Sequence, residues 1–223
     1  LSTQARYALI FANGDYIDGE AVRAALNVPA DADCLIIAAD GGLRHVLTLG
    51  LTPHLVIGDM DSVDPADLAA VERCGAVIQP FPTAKDETDL ELALLAATAR
   101  GSTVIRVLAG IGDRFDQTIS NVYLLALPQL AGVNAKLVSG NQTLSLIFPG
   151  KTRLSGQAGD TVSLVPVAGD ATGIVTAGLE YPLRHETLRF GPARGVSNVM
   201  LSTEATVSLE SGVLLLSHTY GRA

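Results

Sequence analysis

From its start to about residue 148 the chain alternates short, β-branched apolar runs with longer segments of helical period, and no other feature restricts its fold as much. The runs "RYALIFANG", "CLIIAAD", "HLVIGD", "AVIQPF", "TVIRVLAG" and "AKLVSG" are almost continuously hydrophobic, the pattern of strands covered on both faces. Between them, "GLRHVLTLG", "DPADLAAVERCG", "TDLELALLAATARG" and "DQTISNVYLLALPQL" space leucines and alanines at three and four residues. Strands separated by helices specify a parallel sheet, because parallel neighbours need long crossover connections. Asp64-Pro65 is a helix start signal, and Gly75 and Gly101 are helix stops.

After "FPGKTRLSG" the texture changes. Short alternating segments such as "DTVSLVPV", "ETLRF", "ATVSLES" and "VLLLSHT" are separated by glycine-rich turns, with no helical period among them. This is the signature of a small antiparallel sandwich or barrel. The boundary is placed near Pro149-Gly150, giving an α/β parallel-sheet domain over residues 1–148 and an all-β domain over 149–223.

Composition excludes several functions. The 15 basic residues are outnumbered by 23 acidic ones, for a net charge of −8, and they form no cluster, so a nucleic-acid partner is not expected. No apolar stretch reaches the roughly 18 residues of a membrane span. The four histidines show no zinc spacing, and neither of the two cysteines sits in a ligand-spaced pair, so both are read as reduced thiols. With no signal-like start, the expected location is cytoplasmic. Any metal here is expected to be a hard one held by oxygen.

In an open parallel sheet, ligands bind beyond the carboxyl ends of the strands. Most strand ends of this chain carry an acid: Asp40 after "IIAA", Asp59 and Asp61 after "LVIG", Lys85, Asp86, Thr88 and Asp89 after "VIQPF", and Asp113, Arg114 and Asp116 after "VIRVL". Each has a plainer explanation. Thr83 or Asp86 can cap the following helix, Asp116 can cap "QTISNVYLL", and Arg114 can simply pair with Asp116. Their crowding on one rim favours a cation site, since two carboxylates about 5 Å apart repel by roughly 3 kcal/mol at an effective dielectric near 20. Magnesium is the natural compensating ion, taking carboxylates from the protein and oxygens from phosphates. Lys85, Arg114 and helix N-termini would then meet phosphate oxygens, a set suited to phosphoryl transfer. Neither a phosphate-binding P-loop nor a dinucleotide fingerprint is present; "FANGDYIDG" is not one.

The motifs "ADGG" (39–42), "GDMDS" (58–62), "KDETD" (85–89), "GDRFDQ" (112–117), "GLEYPL" (178–183) and "RGVSN" (194–198) resemble, in order and spacing, those of the thiamine pyrophosphokinase family. The resemblance implies a Rossmann-like catalytic, nucleotide-binding domain and a β-sandwich that binds thiamine and dimerises. It implies a homodimer with active sites at the subunit interface. The implied reaction moves the terminal diphosphate of ATP to the hydroxyethyl oxygen of thiamine, releasing AMP, with Mg2+ present. Carried over residue by residue, Asp40, Asp59 and Asp61 serve the metal. Asp40, Gly41, Lys85, Thr88 and Arg114 bind ATP, and Asp59, Asp61, Asp89 and Asp116 are the catalytic acids. Asp89 or Asp116 would accept or orient the proton of the hydroxyl, and both would lie near thiamine, which Ser197 and Asn198 of a neighbouring subunit help to hold. The chain departs from some relatives in having no tryptophan, leaving Tyr181, His218 or Tyr220 as a flat surface for the thiamine rings. Two alternatives stand beside this reading: another acceptor alcohol such as a hydroxymethylpterin, and a nucleotide- or metal-responsive module without turnover.

Overall fold

The computed structural model describes residues 5–222, which divide into two compact units between Gly140 and Asn141. The division falls earlier than the expected one near residue 148, because the strand "QTLSLI" belongs with the second unit.

The first unit holds six strands: β1 (Tyr7–Phe11), β2 (Cys34–Ala39), β3 (Leu55–Gly58), β4 (Val77–Pro80), β5 (Val104–Leu108) and β6 (Asn134–Ser139). Every pairing among them is parallel, in the order β6-β5-β1-β2-β3-β4. All six apolar runs of the sequence are thus strands. Phe11, Ile10, Ile37, Leu55, Ile57, Ile105 and Leu137 are fully buried, which explains why the runs other than β4 show little polar alternation; β4 is more exposed, with Val77 at 57%. Among the described residues five α-helices accompany the sheet: α1 (Glu20–Leu26), α2 (Leu43–Thr48), α3 (Pro65–Arg73), α4 (Asp89–Ala99) and α5 (Phe115–Leu124). The first, a two-turn helix with no side-chain cap, leaves little periodic signal in the sequence.

Local chemistry sets the helix ends. Asp64 caps α3 by accepting from the Ala66 N–H at 2.8 Å, with Pro65 in the first turn. Gly75 and Gly101 lie just past α3 and α4 with positive φ (97° and 82°), as stop signals should. The cap of α4 is neither Thr83 nor Asp86. Thr88 accepts from the Glu91 N–H at 3.2 Å, so the helix begins at Asp89. Asp116 does not cap α5 either; Arg114 holds that position and Asp116 lies in the first turn. Helix α4 buries Leu90, Leu92, Ala93, Leu94 and Ala97 and packs on β1, β2 and β3. Its N-terminal Asp89 is thereby held at the sheet.

The second unit is all β and antiparallel. One group of strands runs in the order β12 (Asn198–Val199), β9 (Thr161–Pro166), β14 (Leu214–Thr219), β7 (Gln142–Ile147). The other runs β11 (Arg184–Leu188), β10 (Ala171–Ala177), β13 (Glu204–Leu209), β8 (Gly150–Ser155). Val162, Leu164, Leu214 and Leu216 from the first group and Ile174, Leu188, Val207 and Leu209 from the second belong to one buried cluster. Alternation along β13, with Ala205, Val207 and Leu209 buried, is the pattern legible in "ATVSLES". Among the described residues, no helix is long and apolar enough to cross a membrane.

Candidate active site

In the order β6-β5-β1-β2-β3-β4 the chain runs outward from β1 on one side and from β5 on the other. The loops leaving β1 and β5 therefore diverge, and a crevice opens beyond their carboxyl ends. A cleft of about 370 Å³ lies there, lined by Asn13 and Gly14 after β1, Asp40 after β2, Thr88 and Asp89 of α4, Gly112 to Arg114 after β5, and Gln117, Thr118 and Asn121 of α5.

Three carboxylates gather at this edge. Asp40, Asp59 and Asp89 each offer an oxygen within 4.8 Å of the others. Glycine makes the convergence possible: a Cβ on Gly58 would stand 3.0 Å from both Asp40 Cβ and Asp89 Oδ1, and its φ of 147° is itself one that side chains disfavour. Asp40 is 5% exposed, and its Oδ1 is buried without a hydrogen-bond partner. A buried polar oxygen with no partner is costly, and a cation is the compensation that oxygen-only ligands call for.

Lys85 supplies part of the compensating charge. Its Nζ lies 3.0 Å from Asp89 Oδ1 and 3.8 Å from Asp59 Oδ2. The contact with Asp89 is a close charge pair that partly offsets this buried carboxylate. Burial alone would lower the Lys85 pKa, but Asp89, Asp59 and Asp40 outweigh it and hold the ammonium form. Burial raises the Asp89 pKa, Asp40 and Asp59 add to the rise, and Lys85 opposes it. The Asp59 pKa is lowered, first by the Asp61 backbone N–H at 3.2 Å from Oδ1 and then, against some desolvation, by Lys85. Neighbouring acids are thus driven in opposite directions, a feature common at sites of chemistry.

Other residues singled out in the sequence stand differently. Asp61 is outside the carboxylate group: its side chain is exposed and accepts from Ser62 Oγ at 2.9 Å. The left-handed Met60 (φ 64°) between Asp59 and Asp61 separates the two. Asp89 is the third acid of the group with Asp40 and Asp59. Gly41 packs so tightly on Asn13 that a Cβ there would come within 2.5 Å of its Oδ1. Thr88 lines the cleft while capping α4. Arg114 lines the cleft too, but is paired with Asp116 at 2.7 Å; both are exposed, and the pairing lowers the Asp116 pKa. Asp116 is not among the cleft residues.

In the second unit Ser197 is exposed and left-handed (φ 58°), its N–H donating to Ser163 Oγ at 3.0 Å. Asn198 is committed to its own unit. Its Oδ1 accepts from the Tyr181 N–H at 3.0 Å and its Nδ2 donates to the Tyr181 carbonyl at 2.7 Å, which fixes the backbone beneath an aromatic ring that is 64% exposed. His218 is buried, bonded through Nε2 to Asp160 Oδ2 at 2.8 Å and stacked on Tyr220 with centroids 5.1 Å apart. Of the three candidate flat surfaces, Tyr181 is the exposed one.

Sequence reasoning passed over Asn13, Gln117, Thr118 and Asn121. Asn13 sits just past β1, a strand end of the kind that should draw attention, but it carries no charge. Asn121 is buried on α5 and donates to the Gly110 carbonyl at 2.7 Å, fixing the loop after β5.

The chain is similar to known proteins over most of its length. The family described as "Thiamin pyrophosphokinase, catalytic domain" matches residues 29–137, and that described as "Thiamin pyrophosphokinase, vitamin B1 binding domain" matches residues 151–214. A thiamine pyrophosphokinase of Bacillus subtilis (strain 168) is 25% identical over 187 residues, covering 83% of this chain and 87% of its own. Thiamine pyrophosphokinase 1 of rice, Oryza sativa subsp. japonica, is 23% identical over 207 residues, covering 81% and 77% respectively. Among solved structures, the thiamine pyrophosphokinase of Bacillus subtilis superposes with a TM-score of 0.84 at 22% identity, covering 96% of this chain and 99% of that one. The thiamin pyrophosphokinase of Candida albicans does so with 0.80 at 17% identity, covering 97% and 89%. The fold is shared with both.

Proposed function

The chain belongs to the thiamin pyrophosphokinase family, and from that premise we propose that it transfers the terminal diphosphate of ATP to the hydroxyethyl oxygen of thiamine, giving thiamine diphosphate and AMP. The observation that carries the proposal is the unpartnered, buried Asp40 carboxylate oxygen within a group of three acids, two of which, Asp40 and Asp89, line the crevice beyond β1 and β5. A fold without use for a cation there would leave a large cost uncompensated.

Magnesium fits this donor set, which is all oxygen and carries more negative charge than Lys85 offsets. Asp40, Asp59 and Asp89 would hold it, with Asp61 bracing Asp59 through its backbone N–H. The chemistry a divalent ion supplies when bound is neutralisation of charge on the phosphate oxygens. Everything else falls to side chains. The thiamine oxygen attacks the β-phosphorus, the bond from that phosphorus to the α–β bridging oxygen breaks, and AMP leaves with the bond's electrons. Lys85 and Arg114 meet the phosphates. Asp89, which lines the cleft, would orient the hydroxyl, whose proton passes to solvent as the new bond forms; Asp116 is exposed and tied to Arg114.

The same reading takes the first unit as a Rossmann-like nucleotide-binding catalytic domain and the second as a β-sandwich that binds thiamine and dimerises. It takes the active unit as a cytoplasmic homodimer with sites at the subunit interface. Ser197 and the exposed ring of Tyr181, set by Asn198, would approach thiamine. The test is chromatography after mixing the protein with ATP, magnesium and thiamine. AMP and thiamine diphosphate in equal amounts are expected; bound ATP with no AMP would overturn the proposal.

A further inference from the structure

The segment Asn13-Gly14 after β1 has no role in the reaction described so far, yet it is held more firmly than an ordinary turn requires. Arg44 of α2 grips it at three points: Nη1 donates to Asn13 Oδ1, and Nη2 donates to the Asn13 carbonyl at 2.8 Å and the Gly14 carbonyl at 3.1 Å. His45 Nε2 meets the same Gly14 carbonyl at 2.9 Å. From the other side the segment is laced to the loop after β5, with Gly14 N–H donating to Ala109 O at 2.8 Å and Asp15 N–H to Ile111 O at 2.9 Å. The fit leaves no room for a side chain at position 14, where a Cβ would come within 2.6 Å of Ala109 O.

This grip decides which way the Asn13 amide faces. A guanidinium has donors only, so the atom it meets must be the amide oxygen, and the NH2 group is turned the other way. Asn13 is exposed and lines the cleft, and its Nδ2 makes no hydrogen bond among the described residues. An asparagine serving only the turn would use that group on the backbone. The amide also packs directly on Gly41, the residue after Asp40, so its donor lies beside the proposed cation site.

We propose that Asn13 donates through Nδ2 to the β- or γ-phosphate of the bound nucleoside triphosphate, and that Arg44 is the positioning residue that fixes its amide for this purpose. The inference rests on the nucleotide reading of the cleft. It assigns the loop after β1, which lacks any glycine fingerprint, the task of holding phosphate through one side chain in place of a cradle of backbone N–H groups.

The test is calorimetric titration of the full chain with a non-hydrolysable ATP analogue and, separately, with AMP, both with magnesium. Asn13→Ala is expected to weaken the analogue about tenfold, the scale of one hydrogen bond to a charged group, while AMP affinity stays within about twofold. Arg44→Met, at an exposed position, is expected to weaken the analogue by about threefold to fivefold, with the thiamine KM unmoved. In the Arg44→Met background Asn13→Ala should then cost less than it does alone. Should Asn13→Ala fail to fold, the isosteric Asn13→Asp carries the same test, with a larger loss expected from charge repulsion. Analogue affinity within twofold of wild type for the folded Asn13 variant would overturn the assignment, as would an equal loss for AMP. Full additivity with Arg44→Met would overturn the positioning role. A wild-type chain that binds the analogue but forms no AMP with thiamine would sink the diphosphotransfer reading alone, and one that binds no triphosphate would sink both.

Discussion

Lys85 Nζ stands 3.0 Å from Asp89 Oδ1, four residues along the chain, yet the two are not neighbours on one helix, because α4 begins only at Asp89. The lysine reaches back from the loop after β4 to a carboxylate held by packing of α4 on the sheet. One ammonium thus serves Asp89 and Asp59 while the buried Asp40 oxygen is left over. The arrangement is a site partly neutralised from within, which the proposed cation would complete.

Removing the ammonium should expose that debt of charge. Lys85→Met is expected to melt at lower temperature than wild type in chelator and to gain more than wild type on adding magnesium, as read by thermal denaturation with and without the ion. Turnover should fall by about a hundredfold or more, the scale of losing one charged group aimed at a transferring phosphoryl group. Equal magnesium-induced gains in variant and wild type would show that Lys85 and the ion do not share these carboxylates.

Acidity should act on Asp89 and Asp59 with opposite sign. Asp89 has a raised native pKa, so the native state holds its proton more tightly than the unfolded chain, and the ion-free fold loses stability as pH rises from the ordinary carboxylate value of about 4 through the raised one. Asp59 has a lowered native pKa, so its contribution is present above the ordinary value and is lost as pH falls through the lowered one. In chelator near pH 7.5, Asp89→Asn is therefore expected to raise the melting temperature and Asp59→Asn to lower it, with both differences shrinking in acid. Both variants should lose activity. Changes of the same sign would contradict the electrostatic account.

Gly58 is the hinge on which the carboxylates converge. Gly58→Ala places a Cβ 3.0 Å from Asp40 Cβ and Asp89 Oδ1 at a φ of 147°. A cost of about 1–3 kcal/mol in urea denaturation is expected, together with weaker magnesium binding by calorimetry. Unchanged magnesium affinity would mean that the spacing of these acids is not tuned for the ion.

Asn198 should act on thiamine through Tyr181. Asn198→Ala frees both the N–H and the carbonyl of Tyr181, and a roughly threefold to tenfold rise in thiamine KM with little change in the ATP KM is expected. Tyr181→Ala should produce a rise of the same order, and the double variant little more than either alone. Additive effects would place the two residues in separate roles.

Much of this molecule was legible before any coordinates. Both-face burial makes central parallel strands such as β1, β3 and β5 largely apolar, so they announce themselves, and alternation marks β13 of the second unit. Asp40, Asp59 and Asp89 stand out because charge at a strand or helix terminus is visible in one dimension. Asp61 looked equivalent to Asp59, but a left-handed backbone at Met60 intervenes, and nothing in "GDMDS" reports φ.

Period and punctuation, which are local properties of a chain, determined from sequence alone that strands and helices alternate up to the middle of the protein, where most of them begin and end, and which acids lie on the ligand-facing rim. Only the tertiary structure decided which acids meet, that Asn198 braces Tyr181, and that Arg44 holds the Asn13 amide oxygen. The reason is physical: Coulomb interactions and hydrogen bonds depend on distances of a few ångströms between residues far apart in the chain, and those distances are set by how α4 and α2 pack against the sheet.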